Sequence, residues 1–315
     1  MRLLPRLLNA TVLLAAVLGC LATAGPGQAA WPGENGAIAF SHNANNGRAG
    51  GDIWIQARSG REHQLTNARQ ANDGEPTYSR DGHQIAFSRY SGGDFDIWVM
   101  NSNGSNKHPV TETNGNVSET EPAFLPSGRS LVFAKQGVAG GSRVYSVRTD
   151  GSRPKMQANN GRSPVVSPDG RWLAYRRHPG GNRIRLKNLR TRKERKLSTG
   201  IAQEPDFSPD GSRLVFVGKR PCGGQLRQSL LTIGLHDRHP RMLYETCHRS
   251  FVAYSPAWSP NGNRIVFTRL SRRDLTQGAS DVRLQMVNLA GILVGGAPRP
   301  LHQAYEDSPS WQPLR

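Results

Sequence analysis

Six times along the chain an aliphatic residue, a small one and an aromatic stand together: Ile38-Ala39-Phe40, Ile85-Ala86-Phe87, Leu131-Val132-Phe133, Leu173-Ala174-Tyr175, Leu214-Val215-Phe216 and Ile265-Val266-Phe267. Their aromatics lie 47, 46, 42, 41 and 51 residues apart. Around each phrase runs the same polar punctuation. In the second unit, Glu75-Pro76-Thr77-Tyr78 leads through Arg80-Asp81-Gly82 into the phrase, then to Asp96-Ile97-Trp98-Val99-Met100, Asn103-Gly104 and Val110-Thr111. Asp-Gly and Asn-Gly supply the positive-φ positions of tight turns, and the β-branched and aromatic residues between them favour extended chain. Each unit therefore predicts four short strands, A to D, and a repeat of this length predicts one propeller blade per unit. The expected fold is all-β, a six-bladed propeller of four-stranded blades.

The A-strand phrase returns as Glu121-Pro122-Ala123-Phe124, Ser163-Pro164-Val165-Val166, Glu204-Pro205-Asp206-Phe207, Ser255-Pro256-Ala257-Trp258 and Ser308-Pro309-Ser310-Trp311. The chain opens near a strand B and ends on a strand A with nothing after it. The last strand is thus expected to complete the first blade, residues 308–312 pairing beside 37–41, and to close one domain over 31–315. Trp31-Pro32 resembles a broken A strand, but Trp311 is the better closing residue. A β-sandwich or an open solenoid also uses evenly spaced strands; neither explains the four-part unit.

Arg2 and Arg6, an apolar run over 12–22 and small residues through Gly27-Gln28-Ala29-Ala30 predict a secretory signal peptide over 1–29 and a periplasmic or extracellular protein. Val17-Leu18-Gly19-Cys20 is also similar to a lipoprotein signal, with Cys20 as the lipidated residue and a peripheral or lipid-anchored attachment to a membrane as the alternative. Cys222 and Cys247 remain, an even pair that predicts a disulfide in an exported chain. The alternative is a metal site joining them to His236, His239 and His248, although His236 and His239 map to a C–D turn on the opposite face.

Formal charge is +18, or +16 without residues 1–29, which carry two arginines and no acid. Such a balance in an exported chain points to an acidic protein, an anionic envelope polymer or lipid heads, and away from nucleic acid. The densest run, Arg183 to Lys196, falls on strands C and D of the fourth blade. It reads as a solvated edge that deters edge-to-edge pairing, or as a polyanion-binding strip.

The units from Glu204 to Phe216, with Ser208-Pro209-Asp210-Gly211 at their turn, and from Asp96 to Ser105 resemble the repeat of TolB-like propellers, and the likeness covers nearly the whole chain beyond residue 30. The resemblance implies the six-bladed fold. Its functional implication is broader, since such blades occur in periplasmic scaffolds, peptidase gating domains and some lyases. TolB itself couples a separate N-terminal domain to its propeller and works with Pal in the cell envelope. Here the blades are expected to start almost directly after the leader, a departure from that pattern, and the expectation is a TolB-like propeller used alone.

No Gly-x-Ser-x-Gly elbow, His-Glu-x-x-His helix, phosphate-cradling loop or dinucleotide fingerprint occurs. Asp81, Asp169 and Asp210 sit in A–B turns and are expected to cap them. Binding residues are expected where strand D hands over to the next A: Glu75, Glu121 and Glu204, with Asp73, Glu119, Glu306 and Asp307 nearby, as an acidic collar round the pore. Outside it the B–C loops carry Arg89, Arg176, Arg177, Lys219, Arg220, Arg272 and Arg273 as a basic rim. Each glutamate alternatively just accepts hydrogen bonds from a neighbouring loop. The reading is an exported, non-catalytic, monomeric scaffold without cofactor or metal, whose loop face docks a protein or envelope polymer. The alternative is a metal-dependent lyase similar to the oligogalacturonate lyases, with His248, His302 and Glu306 as candidate ligands.

Overall fold

The computed structural model describes residues 31–43, 51–67, 71–113, 115, 117–137, 141–177, 181–197, 200–247, 249, 251–271, 282–296 and 305–314. These hold 24 strands and no helix. Blade 1 comprises β1 (Glu34–Asn43), β2 (Asp52–Gln56) and β3 (Glu62–Gln64), completed by the last strand, β24 (Tyr305–Leu314). Blade 2 is β4 (Asn72–Tyr78), β5 (Gln84–Ser91), β6 (Asp94–Asn101) and β7 (His108–Pro109); blade 3 is β8 (Ser118–Phe124), β9 (Ser130–Gln136), β10 (Ser142–Arg148) and β11 (Lys155–Asn159). Blade 4 is β12 (Gly161–Val166), β13 (Trp172–Arg177), β14 (Arg183–Asn188) and β15 (Glu194–Lys196), and blade 5 is β16 (Ala202–Phe207), β17 (Arg213–Cys222), β18 (Gln225–Gly234) and β19 (Arg241–Tyr244). Blade 6 is β20 (Phe251–Trp258), β21 (Arg264–Ser271), β22 (Val282–Asn288) and β23 (Leu293–Gly296).

The hydrophobic phrase is explained by the six gaps between blades. Alternate residues of a strand face opposite sides of its sheet. The aliphatic and aromatic members of each phrase point back to the preceding blade, and the middle one points forward. Leu214 and Phe216 pack with Ala174, Ile184 and Leu186 of blade 4, whereas Val215 joins Trp258, Ile265 and Phe267 of blade 6. Ile85 and Phe87 likewise pack with Ala39 and Ile53 of blade 1, while Ala86 meets Phe124, Leu131 and Phe133 of blade 3. Each gap receives two large side chains from the later blade and a small one from the earlier, which leaves room for the ring.

The ends close as the sequence predicts. Strand β24 lies antiparallel to β1, with Ile38 opposite Trp311, Ala39 opposite Ser310 and Ser41 opposite Asp307. Gly36 is required there, because a Cβ would stand 2.7 Å from the Cβ of Gln312. Trp31 does not compete for this place. It is buried against Ala86 and Phe124, its indole N–H donating to the Tyr78 carbonyl at 3.1 Å. A single parallel bridge, Val282 with Tyr305, joins blade 6 to the closing strand.

The turn acids cap their turns. Asp81 accepts from the Ser79 hydroxyl at 2.6 Å and the His83 amide at 3.1 Å, Asp169 from the Arg171 amide at 2.9 Å, and Asp210 from Ser208 and the Ser212 amide at 2.6 and 3.0 Å. Partial burial pushes the Asp81 and Asp210 carboxyls up, but these hydrogen bonds outweigh it and hold both below the ordinary range. Cys222, ending β17, is bonded to Cys247 beyond β19, with Cα atoms 5.7 Å apart, so a covalent tie fixes the mouth side of blade 5.

Candidate functional site at the channel mouth

The six A strands converge on the axis, and each breaks register at the same place. The residue before each proline, namely Glu75, Glu121, Ser163, Glu204, Ser255 or Ser308, has φ of 55°, 58°, 48°, 52°, 44° and 52° in turn. In blades 2 to 6 the pairing with strand B skips two residues there, as between Gly74 and Thr77 or between Gln203 and Asp206. Proline has no N–H for the ladder and favours a bulge, but it disfavours the helical region for the residue before it, and a left-handed non-glycine residue costs roughly 1–2 kcal/mol. Six such positions in one ring are held by what surrounds them.

What holds them is partly the collar carboxylates. Glu75 Oε2 accepts from the backbone N–H of Glu121 at 2.7 Å and from the Ser88 hydroxyl at 2.7 Å. Glu121 accepts from the Ser163 N–H at 2.6 Å and the Ser163 hydroxyl at 3.1 Å, and Glu204 from the Ser255 N–H at 2.7 Å. Each glutamate thus grips the equivalent residue one blade onward through charge-assisted hydrogen bonds. A second layer lies deeper. Asp206 Oδ2 accepts from the Trp258 N–H at 2.8 Å and Ser310 Oγ from the Tyr78 N–H at 3.2 Å.

Together these residues line a cavity of about 300 Å³ on the axis, with the six prolines, Thr77, Ala123, Val165 and Ala257 in its wall and Trp31 beside Tyr78 at its far end. Asp206 is the site residue that the sequence reading passed over. Its signal was legible: it is the one carboxylate at a position otherwise filled by Thr77, Ala123, Val165, Ala257 and Ser310. Burial raises its carboxyl to about 7, against the lowering effect of the Trp258 and Phe207 backbone amides. A folded-state value above the unfolded 3.8 means that the fold binds the proton more tightly, so this group's cost is absent in acid and grows as pH rises to 7. Asp206→Asn is therefore expected to raise the melting temperature at pH 8 by a few degrees, with the gain shrinking as pH is lowered toward 4. An equal gain at both pH values would contradict it.

The rim residues have diverse surroundings. Arg89 lies opposite Asp73 and binds its buried carboxylate through two hydrogen bonds of 2.7 Å, with the guanidinium 4.5 Å from the Trp98 ring centroid. Blade 3 repeats the device with Lys135 on Glu119 at 2.6 Å. Asp73 and Glu119 thus belong to pairs within their blades. Removing Arg89 would strand a buried charge, and such losses are large. Arg177 and Lys219 are exposed, and Arg176 and Arg220 are partly buried. Glu306 and Asp307 stand on β24 opposite His42 and Ser41. Arg272, Arg273, His248 and His302 lie outside the described residues, and among the described residues no three His, Cys, Asp or Glu side chains could hold a metal ion. His236 and His239 fall between β18 and β19, at the end of blade 5 away from the mouth.

The basic strip of blade 4 also makes contacts between blades. Lys187 donates to the Gln157 carbonyl and Arg192 to its side-chain oxygen at 2.7 Å, on blade 3, while Arg195 donates to the Leu235 carbonyl beyond β18 of blade 5. Arg185 pairs with Glu194 at 2.9 Å.

Residues 29–246 match the model of the TolB β-propeller domain. The chain belongs to that family. Over 221 residues, 67% of the chain, it is 28% identical to the Tol-Pal system protein TolB of Francisella tularensis, and it spans 48% of that relative's length. The TolB structure from Acinetobacter baumannii superposes with a TM-score of 0.74 at 18% identity, covering 88% of this chain and 67% of that one. A chain of a nidogen/laminin complex gives 0.67 at 11% identity, covering 88% and 98%. The two structural likenesses concern the propeller fold. Within this TolB-type propeller, the x-Pro bulges and the glutamates that bridge them form the mouth.

Proposed function

We propose that this TolB-type propeller, exported after loss of residues 1–29 and acting as one domain over 31–315, is a non-catalytic scaffold that docks a protein on its mouth face. The observation that carries the reading is the bridged ring of bulges. Its glutamates on blades 2, 3 and 5, with the rim arginines of blades 4 and 5, present charged groups on a face whose backbone is already fixed, so a partner pays little for ordering it. The relatives are named for a Tol-Pal protein system, which favours a protein over an envelope polymer as the occupant. In this reading Glu306 and Asp307 join Glu75, Glu121 and Glu204 round the pore, and Arg176, Arg177 and Arg220 engage the partner outside it. Arg89 keeps its loop in place through Asp73.

The test is capture of partners from an envelope extract. Replacing Arg176, Arg177 and Arg220 together with glutamine is expected to cut capture at least tenfold, and parent binding should weaken as salt rises, since exposed pairs are screened over about 10 Å at 0.1 M ionic strength. The control variant carries glutamine at Arg190, Arg192, Lys193 and Lys196. Capture that survives the mouth variant and disappears with the control would place the binding surface on the outer edge, and recovery of polymer without protein would replace the proposed occupant.

A further inference from the structure

Blades 2 and 3 set an acid opposite a base at the mouth end of strands A and B: Asp73 with Arg89, Glu119 with Lys135. Blade 4 departs from this. Its A-strand residue at that level is Gly161, opposite Arg177, and the next pair is Arg162 opposite Arg176. Arg177 in turn lies opposite Arg183. Blade 5 adds a third like-charged pair, Arg220 opposite Arg227. Like charges directly opposite one another in a sheet oppose its formation.

The alternation of side chains directs Arg176 and the Arg220–Arg227 pair at each other. Arg176 shares its face of β13 with Ala174 and its partner Ile184, which pack into the gap shared with blade 5. Arg220 shares its face of β17 with Leu214 and Phe216, and Arg227 its face of β18 with Leu231 and Ile233, all in that same gap. The apolar core between blades 4 and 5 is thus topped, at the mouth, by arginines from both walls.

These cations are not neutralised within the described residues. None of Arg162, Arg176, Arg220 and Arg227 is in a salt bridge there. The Nε atoms of Arg176 and Arg227 are buried without a hydrogen-bond partner, whereas Arg162 turns the other way and donates to the Gln136 side chain of blade 3. The nearby acids point elsewhere: Glu121 is taken by Ser163, and Glu204 reaches toward Ser255 on blade 6. Arg177, Arg183 and Lys219 add further positive charge round the rim.

We propose that the mouth end of the gap between blades 4 and 5 is a binding site for an oxyanion of the phosphate class, held by Arg176, Arg220 and Arg227. A carboxylate is planar and singly charged, and one guanidinium fork satisfies it. A phosphate group offers oxygens in several directions and up to two negative charges, which suits guanidiniums arriving from two sheets. The site does not depend on the docking of a protein, and its test reads ligand binding alone.

The experiment is thermal unfolding and ³¹P line broadening of the full chain in chloride buffer, with sodium phosphate added at matched ionic strength. Phosphate is expected to raise the melting temperature above the chloride control and to bind at one equivalent. Arg176→Gln with Arg220→Gln should melt no lower than the parent without phosphate, because repulsion is relieved, and should weaken phosphate binding about tenfold or more. Arg227→Gln alone provides a second reading by ³¹P broadening. Arg190→Gln with Lys193→Gln should bind phosphate as the parent does. Glycerol phosphate binding more tightly than inorganic phosphate would assign the site to an esterified phosphate, and equal binding to the free ion. Equal stabilisation by phosphate and chloride, equal stabilisation by acetate, or undiminished binding in both mouth variants would overturn the proposal.

Discussion

Deleting residues 307–315 is expected to cost so much stability that the ring no longer melts cooperatively. The deletion removes most of β24, which is the inner strand of blade 1 and its seal against blades 6 and 2. Trp311 is lost from the cluster of Ile38, Phe40, Ala257, Val266 and Leu284. So are the Ser310 hydroxyl that accepts from Tyr78, and the Gln312 amide, which accepts from the Ala37 N–H at 3.2 Å and donates to the Gly82 carbonyl at 3.0 Å. Loss of a buried tryptophan alone costs about 3–5 kcal/mol, and each hydrogen bond adds about 0.5–1.5 kcal/mol. β1 would also become an open edge. Calorimetry should show the transition broadened or absent, while Trp311→Ala retains a cooperative transition at lower temperature. A truncated chain that melts with the parent would show that closure does not hold the ring.

Phe216→Ala is expected to destabilise by about 3–5 kcal/mol in a denaturant titration. The ring of Phe216 is fully buried in the gap between blades 4 and 5, against Ala174, Ile184 and Leu186. Nothing on blade 4 can move in to fill the space, because Ala174 is fixed in β13 opposite Leu186. The converse change also has a sign. Ala174→Leu puts added volume into the same filled gap and should cost about 1–3 kcal/mol. A cost below about 1 kcal/mol for Phe216→Ala would mean that the gap relaxes and that the phrase Leu214-Val215-Phe216 is not what spaces the two blades.

Both experiments rest on features that were legible in the sequence. The phrase and its spacing are local, so they report strands A to D within a blade. The phase of the count placed β24 beside β1, and the Ser79-Asp81 and Ser208-Asp210 turns could be read from four or five consecutive residues. That each glutamate accepts from a neighbouring loop was readable as the alternative to a binding collar, but which residue it meets was not. Glu75 meets Glu121 and Glu204 meets Ser255 across 46 and 51 residues, and only the left-handed bulge before each proline aims the side chain there. For the same reason Arg89 read as a rim charge, although register sets it on Asp73, 16 residues earlier. Asp206 was hidden in a phrase read for its hydrophobic pattern, where an acid at the third position looked like one more polar residue on a strand.

The carboxylate bridges at the mouth all run in one sense, from a blade to its successor: Glu75 to blade 3, Glu121 to blade 4, Glu204 to blade 6. Each such contact is head-to-tail, with a fastener on one blade and an eyelet on the next, and contacts of that kind form rings when their rotation closes. The eyelet is a main-chain amide, which every sequence supplies. A copy of blade 2, 3 or 5 would therefore carry its own clasp and find a receiver in whatever blade followed it, so these bridges leave the number of units in the ring to the angle at which neighbours pack.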